Sequence, residues 1–220
     1  PVLSILFNGA KSRRYEQQAR EKALDALRFV DMEKDAYEIV NGLPYGKKRL
    51  AEFARAVAAM PKCILLDEPA AGMNPTEKSN LMALVKKLKT DGYTVVLIEH
   101  DMKLVMGVCD TISVLDHGSK IAEGTRRKCG RTRRSSPHIW GKEGRRMLHI
   151  DNVFAGYGST KVLHGVSLSA KQGHITTLIG ANGAGKTTIM NCIMGLVKCA
   201  SGDITLGGAS AEACQAAGEA

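Results

Sequence analysis

The sequence predicts an α/β fold, and two stretches with the same strand-then-helix pattern are the basis of that prediction. The run CILLDEP, residues 63–69, is apolar, ends in acids and precedes a helical pattern that begins at Asn74. The run HITTLIG, residues 174–180, precedes a glycine-rich turn and the helix-like KTTIMNCIMGLV, residues 186–197. Short apolar runs of this kind are typical of buried parallel strands, whose carboxyl ends carry the ligand sites of open sheets.

The remaining elements follow from periodicity and from turn residues. Apolar residues at helical spacing predict an amphipathic helix over 12–30 and an Ala-rich helix within 43–60, which Pro61 stops. Asn74 and Pro75 predict an N-cap and a first-turn proline. The predicted strands are YTVVLIEH (93–100), TISVLD (111–116), SKIAEG (119–124), and an antiparallel pair formed by 147–158 and 161–170.

Composition places the chain among globular proteins, because 44% of its 220 residues are hydrophobic. The net charge of +9 would ordinarily indicate a polyanionic partner. However, residues 126–146 hold nine Lys or Arg and one Glu, and so account for eight of the nine charges. No apolar run approaches the roughly 20 residues that span a bilayer. Six cysteines without a CxxC pair or zinc spacing predict a reduced, cytosolic chain.

The segment GANGAGKT, Gly180 to Thr187, matches the phosphate-binding loop pattern between a strand and a helix. Its glycines let backbone N–H groups surround phosphate oxygens, and the helix N-terminus adds positive potential. Lys186 offers a cation, and Thr187 offers a hydroxyl ligand for Mg²⁺. The alternative is a glycine turn that only caps a helix.

A pair of acids, Asp67 and Glu68, ends the first predicted strand. A carboxylate at a strand end suits Mg²⁺ through a water, and its neighbour suits orientation or deprotonation of an attacking water. Without the phosphate loop, an acidic pair that merely ends a strand would be the simpler interpretation.

Several further motifs give the chain a resemblance to the nucleotide-binding subunits of ABC transporters. LPYGK, residues 43–47, resembles the signature motif in the form typical of branched-chain amino acid importers. EPAAGMNP resembles the strand-end glutamate with its following loop. VLIEHDM places His100 at the switch histidine, and AGYG places Tyr157 at the aromatic that stacks on adenine. Taken singly, His100 is equally well a surface histidine, and Tyr157 is more often a core residue.

The resemblance implies a P-loop NTPase of the ABC type, with ATP and Mg²⁺ as its ligands. Thr187 and Asp67 would support the metal, Glu68 would polarise water, and His100 would sense the γ-phosphate. Pro44, Tyr45 and Lys47 depart from the commonest signature, which we interpret as a subfamily feature. The residues implied in nucleotide contacts are Tyr157, Gly180, Asn182, Gly183, Ala184, Gly185, Lys186, Thr187 and Thr188, together with Leu43, Tyr45, Gly46 and Lys47 of the signature.

The order of these motifs is permuted relative to the family, in which the phosphate loop comes first. Residues 1–125 resemble the later part of one ATPase subunit, and residues 147–220 begin like the opening of its sister subunit. Residues 126–146 form a basic seam between them. We hypothesise that this seam is the first subunit's tail read one frame off, because codons can be chosen that restore such a tail. A solvated linker and a polyanion-binding arm are the alternatives.

The resemblance implies the ATP-hydrolysing component of an importer for branched-chain, hydrophobic amino acids. Its expected partners are a second ABC ATPase subunit, integral-membrane permease subunits and a substrate-binding protein, with no specific nucleic acid. We expect a cytoplasmic location at the inner face of the membrane, reached through those partners. Three alternatives remain at this point: a fused chain that binds ATP without turning it over, a basic ATPase associated with nucleic acid, and a fused or mis-sequenced remnant with no function.

Overall fold

The computed structural model describes residues 9–125 and 146–210. Contacts divide the chain into two compact units, residues 1–61 and residues 62–220. The predicted basic seam lies outside the described residues except for Arg146, as does the tail from residue 211.

The first unit is helical. Helix α1 (Gly9–Phe29) and helix α2 (Tyr45–Ala58) pack against each other, and two 3₁₀ turns, Glu33–Asp35 and Val40–Gly42, connect them. Helix α2 buries Phe53, Ala54 and Val57, which share one face of the helix. Both predicted helices of this part of the sequence are therefore confirmed.

A five-stranded sheet is the centre of the second unit. The central sheet's strands are β1 (Cys63–Asp67), β2 (Thr94–Ile98), β3 (Thr111–Asp116), β4 (Ser119–Thr125) and β7 (Ile175–Gly180). They lie in the order β1-β2-β7-β3-β4, where neighbours are parallel except for the antiparallel β3-β4 pair. All five residues of β2 are buried, as expected for an interior parallel strand.

Strand β7 lies between two strands that come much earlier in the sequence. Val95 of β2 is aligned with Ile175, and Ile112 of β3 is aligned with Thr177. Because β1, β2 and β7 are adjacent and parallel, their carboxyl ends lie at one edge of the sheet. That edge carries Asp67, the end of β2 and Gly180, and so positions the motifs that the sequence singled out.

A second, antiparallel sheet completes the unit. Its strands are β5 (Arg146–Tyr157), β6 (Thr160–Lys171), β8 (Cys199–Leu206) and β9 (Ala209–Ser210). They lie in the order β6-β5-β8-β9. The two sheets share one hydrophobic core, to which Ile98 and Leu178 contribute from the central sheet and Leu148 and Leu163 from the antiparallel one.

Three helices flank these sheets: α3 (Pro75–Thr90), α4 (Met102–Val108) and α5 (Lys186–Ile193). The predicted cap of α3 is confirmed, since Asn74 and Glu77 exchange hydrogen bonds with each other's backbone as a capping box. Helix α4 was not predicted. Helix α5 ends sooner than the predicted span of 186–197, because Gly195 takes a left-handed φ of 71° that stops the helix. No helix within the described residues is long and apolar enough to cross a bilayer.

Candidate active site at the carboxyl ends of the central strands

The loop between β7 and α5 has a backbone that two of its glycines make possible. Gly183 and Gly185 have φ values of 80° and 97°, in the left-handed region that side chains disfavour. A Cβ at Gly185 would also lie 2.7 Å from a Leu163 methyl carbon, and one at Gly180 would collide with the carbonyl oxygen of Leu115. The loop geometry therefore depends on glycine at Gly180 and Gly185 for space, and at Gly183 for conformation.

The other residues of this loop divide into an exposed tip and a buried base. Asn182 and Gly183 are exposed, whereas Ala184 and Thr188 are buried. The backbone N–H of Gly118 donates to the Ala184 carbonyl at 3.1 Å, which fixes the base of the loop against the β3-β4 turn. The exposed tip leaves its backbone open to a ligand.

Lys186 is the first residue of α5, and its side chain folds back over the loop. The residue is only 8% exposed, and its Nζ donates to the carbonyl oxygens of Gly180 and Ala181 at 3.0 Å each. A buried ammonium requires such acceptors. The sequence placed a cation at this point of the loop, and the structure holds it there against the backbone.

Thr187 and Asp67, which are 120 residues apart, come into contact. The Thr187 hydroxyl donates to Oδ2 of Asp67 at 3.1 Å, and both residues are exposed. Hydroxyl and carboxylate oxygens are the ligands that Mg²⁺ prefers, and this ion usually takes one or two protein groups together with waters and substrate phosphates. The donor set therefore fits Mg²⁺. No cluster of three or more His, Cys, Asp or Glu side chains that could hold a metal occurs among the described residues.

Glu68 and His100 lie side by side at the same edge. Nδ1 of His100 is 3.7 Å from Oε1 of Glu68, and their side chains are 69% and 39% exposed respectively. Glu68 has a left-handed φ of 44°, and its N–H donates to the carbonyl of Ile98 at 3.0 Å. That backbone conformation is unusual for a non-glycine residue, and such positions cluster at functional sites.

The acid that follows His100 is held in its charged form. The Lys78 ammonium, 3.0 Å away, and the N–H groups of Leu104 and Lys103 lower the pKa of Asp101. Asp101 caps helix α4 through those two N–H groups. The residue after His100 is thus fixed in place by its hydrogen bonds to the N-terminus of α4 and by its ion pair with Lys78.

Tyr157 ends strand β5 and is half exposed. Its hydroxyl accepts a hydrogen bond of 3.0 Å from Nδ2 of Asn191 on α5. An exposed ring with a tethered hydroxyl can offer a face to a planar base, which agrees with the role that the sequence predicted. Sequence analysis did not single out Asn191, which lies five residues after Lys186 on the same helix.

The predicted signature residues lie in the first unit, at the start of α2. Gly46 is buried there, whereas Leu43 is partly exposed. Nε of Arg49 donates to the Tyr45 hydroxyl at 3.0 Å, and Lys47 forms an ion pair of 2.6 Å with Asp35. The signature cation therefore has a carboxylate partner within its own unit.

Glu99 is a further residue that sequence analysis missed. It is only 2% exposed, and its carboxylate accepts hydrogen bonds from the backbone around both Glu68 and His100. The sequence offered one indication of its role: Glu99 ends an apolar run and stands directly before the predicted switch histidine.

Part of this site lies in a segment that resembles known proteins. The family model described as ABC transporter matches residues 163–219, which include the glycine-rich loop and α5. The chain contains sequence of an ABC transporter ATP-binding domain. Of the solved structures, one chain of Clostridium perfringens, cbiO1, described as part of the ABC transporter complex cbiONQ, is 28% identical with a TM-score of 0.50. That match covers 52% of this chain and 46% of cbiO1, and the described residues have the mixed α/β fold of a P-loop ABC ATPase cassette.

Two curated relatives are named as high-affinity branched-chain amino acid transport ATP-binding proteins. BraF of Pseudomonas aeruginosa is 44% identical over 124 residues, and LivG of Escherichia coli K12 is 40% identical over 125 residues. Each match covers 56% of this chain and 49% of the relative. The chain thus spans about half the length of these curated relatives.

A third relative matches over a much larger share of this chain. The ribose import ATP-binding protein RbsA of Geobacillus kaustophilus is 31% identical over 204 residues, which cover 89% of this chain and 41% of RbsA. BraF, LivG and RbsA are all named for transport or import, and so they do not favour the nucleic-acid alternative.

Proposed function

We propose that this chain is an ATP-binding and ATP-hydrolysing component of an ABC importer for branched-chain, hydrophobic amino acids. The observation that carries the proposal is the hydrogen bond between Thr187 and Asp67. Asp67 ends the parallel strand β1, and Thr187 is the second residue of α5, which follows the loop after β7. Both are oxygen donors suited to the Mg²⁺ that accompanies ATP. The names of BraF and LivG support the choice of cargo class.

The loop from Gly180 to Thr188 would bind the phosphates of ATP. Its exposed tip would donate backbone N–H groups to the phosphate oxygens. The Lys186 ammonium, which hydrogen-bonds to the carbonyl oxygens of Gly180 and Ala181 in the same loop, would add a positive charge. Bound Mg²⁺ would supply charge neutralisation at the phosphate oxygens, held by Thr187 and Asp67. Tyr157, tethered by Asn191, would stack on the adenine ring.

Glu68 and His100 would act at the terminal phosphate. A carboxylate at this position can orient the attacking water or accept its proton. The imidazole, 3.7 Å from that carboxylate, would contact the γ-phosphate on the other side. Leu43, Tyr45, Gly46 and Lys47 would cover the nucleotide of an opposing ATPase subunit, as the resemblance implies.

The proposed partners are those that the resemblance implies. A second ABC ATPase subunit would complete each nucleotide site, and integral-membrane permease subunits with a substrate-binding protein would carry the amino acid. The chain would then work at the cytoplasmic face of the membrane through these partners.

The motif order is part of the proposal. We infer that residues 1–125 derive from the later part of one ATPase, that residues 147–220 derive from the opening of a second, and that 126–146 join them. The pairing of β7 with β2 and β3 supports the view that the two parts complement each other in one sheet. Sequencing the encoding DNA tests the frame-shift hypothesis, which fails if no single-base shift restores a family-like tail after Thr125.

The test of nucleotide binding is thermal unfolding of the purified chain with and without MgATP. At a ligand concentration of 100 times Kd, binding to the folded state alone adds about 2.7 kcal/mol to the free energy of unfolding. We expect an upward shift of Tm for the wild type and for Lys62→Ala, an exposed lysine outside the loop. Lys186→Ala should lose the shift. An unshifted wild type, or an equal shift in Lys186→Ala, would contradict the proposal.

Hydrolysis is tested separately, by phosphate release from the same protein. Turnover above that of a Glu68→Gln variant supports the hydrolytic role. A chain that is stabilised by MgATP but releases no more phosphate than Glu68→Gln would instead be the inert nucleotide-binding fusion.

A further inference from the structure

Glu99 is a buried carboxylate for which the proposed function gives no role. It follows Ile98, the last residue of β2, and only 2% of its surface is exposed. Burial of an ionised carboxylate is costly unless hydrogen-bond donors compensate for the lost water. Among the described residues, no Lys, Arg or His forms an ion pair with Glu99, and its compensation comes from the backbone.

Three backbone N–H groups donate to this carboxylate. Ala70 donates to Oε1 at 3.1 Å, while His100 and Asp101 donate to Oε2 at 3.1 and 3.4 Å. Hydrogen bonds to a charged acceptor are roughly twice as strong as neutral ones. Glu99 therefore joins two loops, one on each of its oxygens.

These two loops carry Glu68 and His100. Ala70 is two residues after Glu68, and its bond to Glu99 lies beside the bond from the Glu68 N–H to the Ile98 carbonyl. The Glu68 loop is thus attached to the end of β2 at two neighbouring points. The Glu68 carboxylate on this attached loop lies 3.7 Å from the His100 imidazole.

We propose that Glu99 is a positioning residue that holds the loop of Glu68 against the loop of His100 and so sets the spacing of these two side chains. The inference rests on the proposed function in one respect, namely that Glu68 and His100 act on ATP. The clamp itself is a property of the folded chain with no nucleotide bound.

The difference between a carboxylate and an amide makes the clamp testable. Gln at this position has one acceptor oxygen, and its NH₂ group is a donor. If that oxygen keeps the two N–H groups of His100 and Asp101, the NH₂ group faces the N–H of Ala70 with donor against donor. Asp101 is fixed independently by Lys78 and by the N-terminus of α4, so Glu99→Gln should release the Glu68 loop selectively.

Asp110→Asn is the matched control. Like Glu99, Asp110 accepts a hydrogen bond from a backbone N–H group, that of Ile175 at 3.0 Å. It also forms an ion pair with Lys89. It lies at the amino ends of the same strands, away from Glu68 and His100. A general loss of stability would appear in both variants, whereas loss of the clamp would appear only in Glu99→Gln.

The first measurement is amide hydrogen exchange of the chain without nucleotide. In Glu99→Gln we expect exchange at Ala70 to become about 10- to 100-fold faster, as loss of a hydrogen bond to a charged group implies. Exchange at Asp101 should stay close to the wild-type rate, and Asp110→Asn should leave Ala70 unchanged. Equal acceleration at Ala70 in the two variants, or none in Glu99→Gln, would overturn the clamp.

The second measurement separates ATP binding from turnover. We expect Glu99→Gln to lower kcat at least tenfold and to leave the KM for ATP within about twofold, because Glu99 contacts neither Lys186 nor Thr187. Asp110→Asn should keep the wild-type kcat. Faster exchange at Ala70 with an unchanged kcat would overturn the positioning role. A wild-type chain that hydrolyses no ATP would defeat the proposed function, and the exchange data would still decide the clamp.

Discussion

The two ends of the central strands use polar side chains for different purposes. At the amino ends, Asp110 accepts the N–H of Ile175 and pairs with Lys89, and the Thr94 hydroxyl accepts the N–H of Gly173 at 3.1 Å. Thr94 is fully buried. The Ile175 contact joins β7 to the residue before β3, the Gly173 contact joins the turn before β7 to β2, and the Lys89 pair attaches α3 to the start of β3. The polar groups at this end serve the fold.

The carboxyl ends carry charged groups that face solvent. Asp67 is exposed, and the side chains of Glu68 and His100 are 39% and 69% exposed, with a separation too long for a hydrogen bond. Charged groups held at an edge with exposed surface can interact with a ligand. The contrast indicates that polar side chains at the amino ends stabilise the fold, whereas those at the carboxyl ends are available for ligand chemistry. Substitutions at the two ends can test this difference.

The largest expected effect is on turnover, in Glu68→Gln. Loss of a general base typically costs about 10²- to 10⁴-fold in rate. Stability should change by less than about 0.5 kcal/mol, as for exposed sites away from buried features. The measurements are phosphate release and urea unfolding. A rate within tenfold of wild type would show that the carboxyl end does not use this carboxylate.

The next effect distinguishes the two ends by stability, in Asp110→Ala and Asp67→Ala. Asp110→Ala leaves the buried N–H of Ile175 without its acceptor, and we expect a loss of about 1–3 kcal/mol in the free energy of unfolding. Asp67→Ala removes only an exposed contact with Thr187, so that it should cost less than about 1 kcal/mol. Urea midpoints for the two variants provide the comparison. Equal losses would contradict the separation between the ends.

The smallest effect concerns pH, at Asp101. Its pKa is lowered in the folded chain, chiefly by Lys78, so its contribution is present above the unfolded pKa of about 3.9 and is lost as pH falls through the folded pKa. Asp101→Asn keeps an N-cap side chain but loses the charge, and should cost less than about 1 kcal/mol at pH 7. The difference from wild type should vanish in strong acid. A difference that persists there would show that the ion pair is not its origin.

Elements with strong local patterns were predicted from the sequence. The helix stopped before Pro61, the N-cap at Asn74 and the glycine-rich loop each depend on neighbours in the chain, and all three are present. The predicted end of α5 was wrong. Apolar periodicity continues past Gly195, whereas the left-handed backbone conformation of that glycine stops the helix. Helix α4 is short, and its two turns gave too few repeats for recognition.

Residue types and their local spacing already specify the chemical groups that this protein can offer: a phosphate loop with Lys186, a strand-end acid pair and a histidine after a second strand. Those features are local, because each is set by residue type and spacing within one element. The position of β7 between β2 and β3, which brings Thr187 to Asp67 across 120 residues, could not be read from any single segment. The same is true of the burial of Glu99 and its contact with Ala70. Strand order and burial depend on pairing between distant segments, which no local pattern encodes.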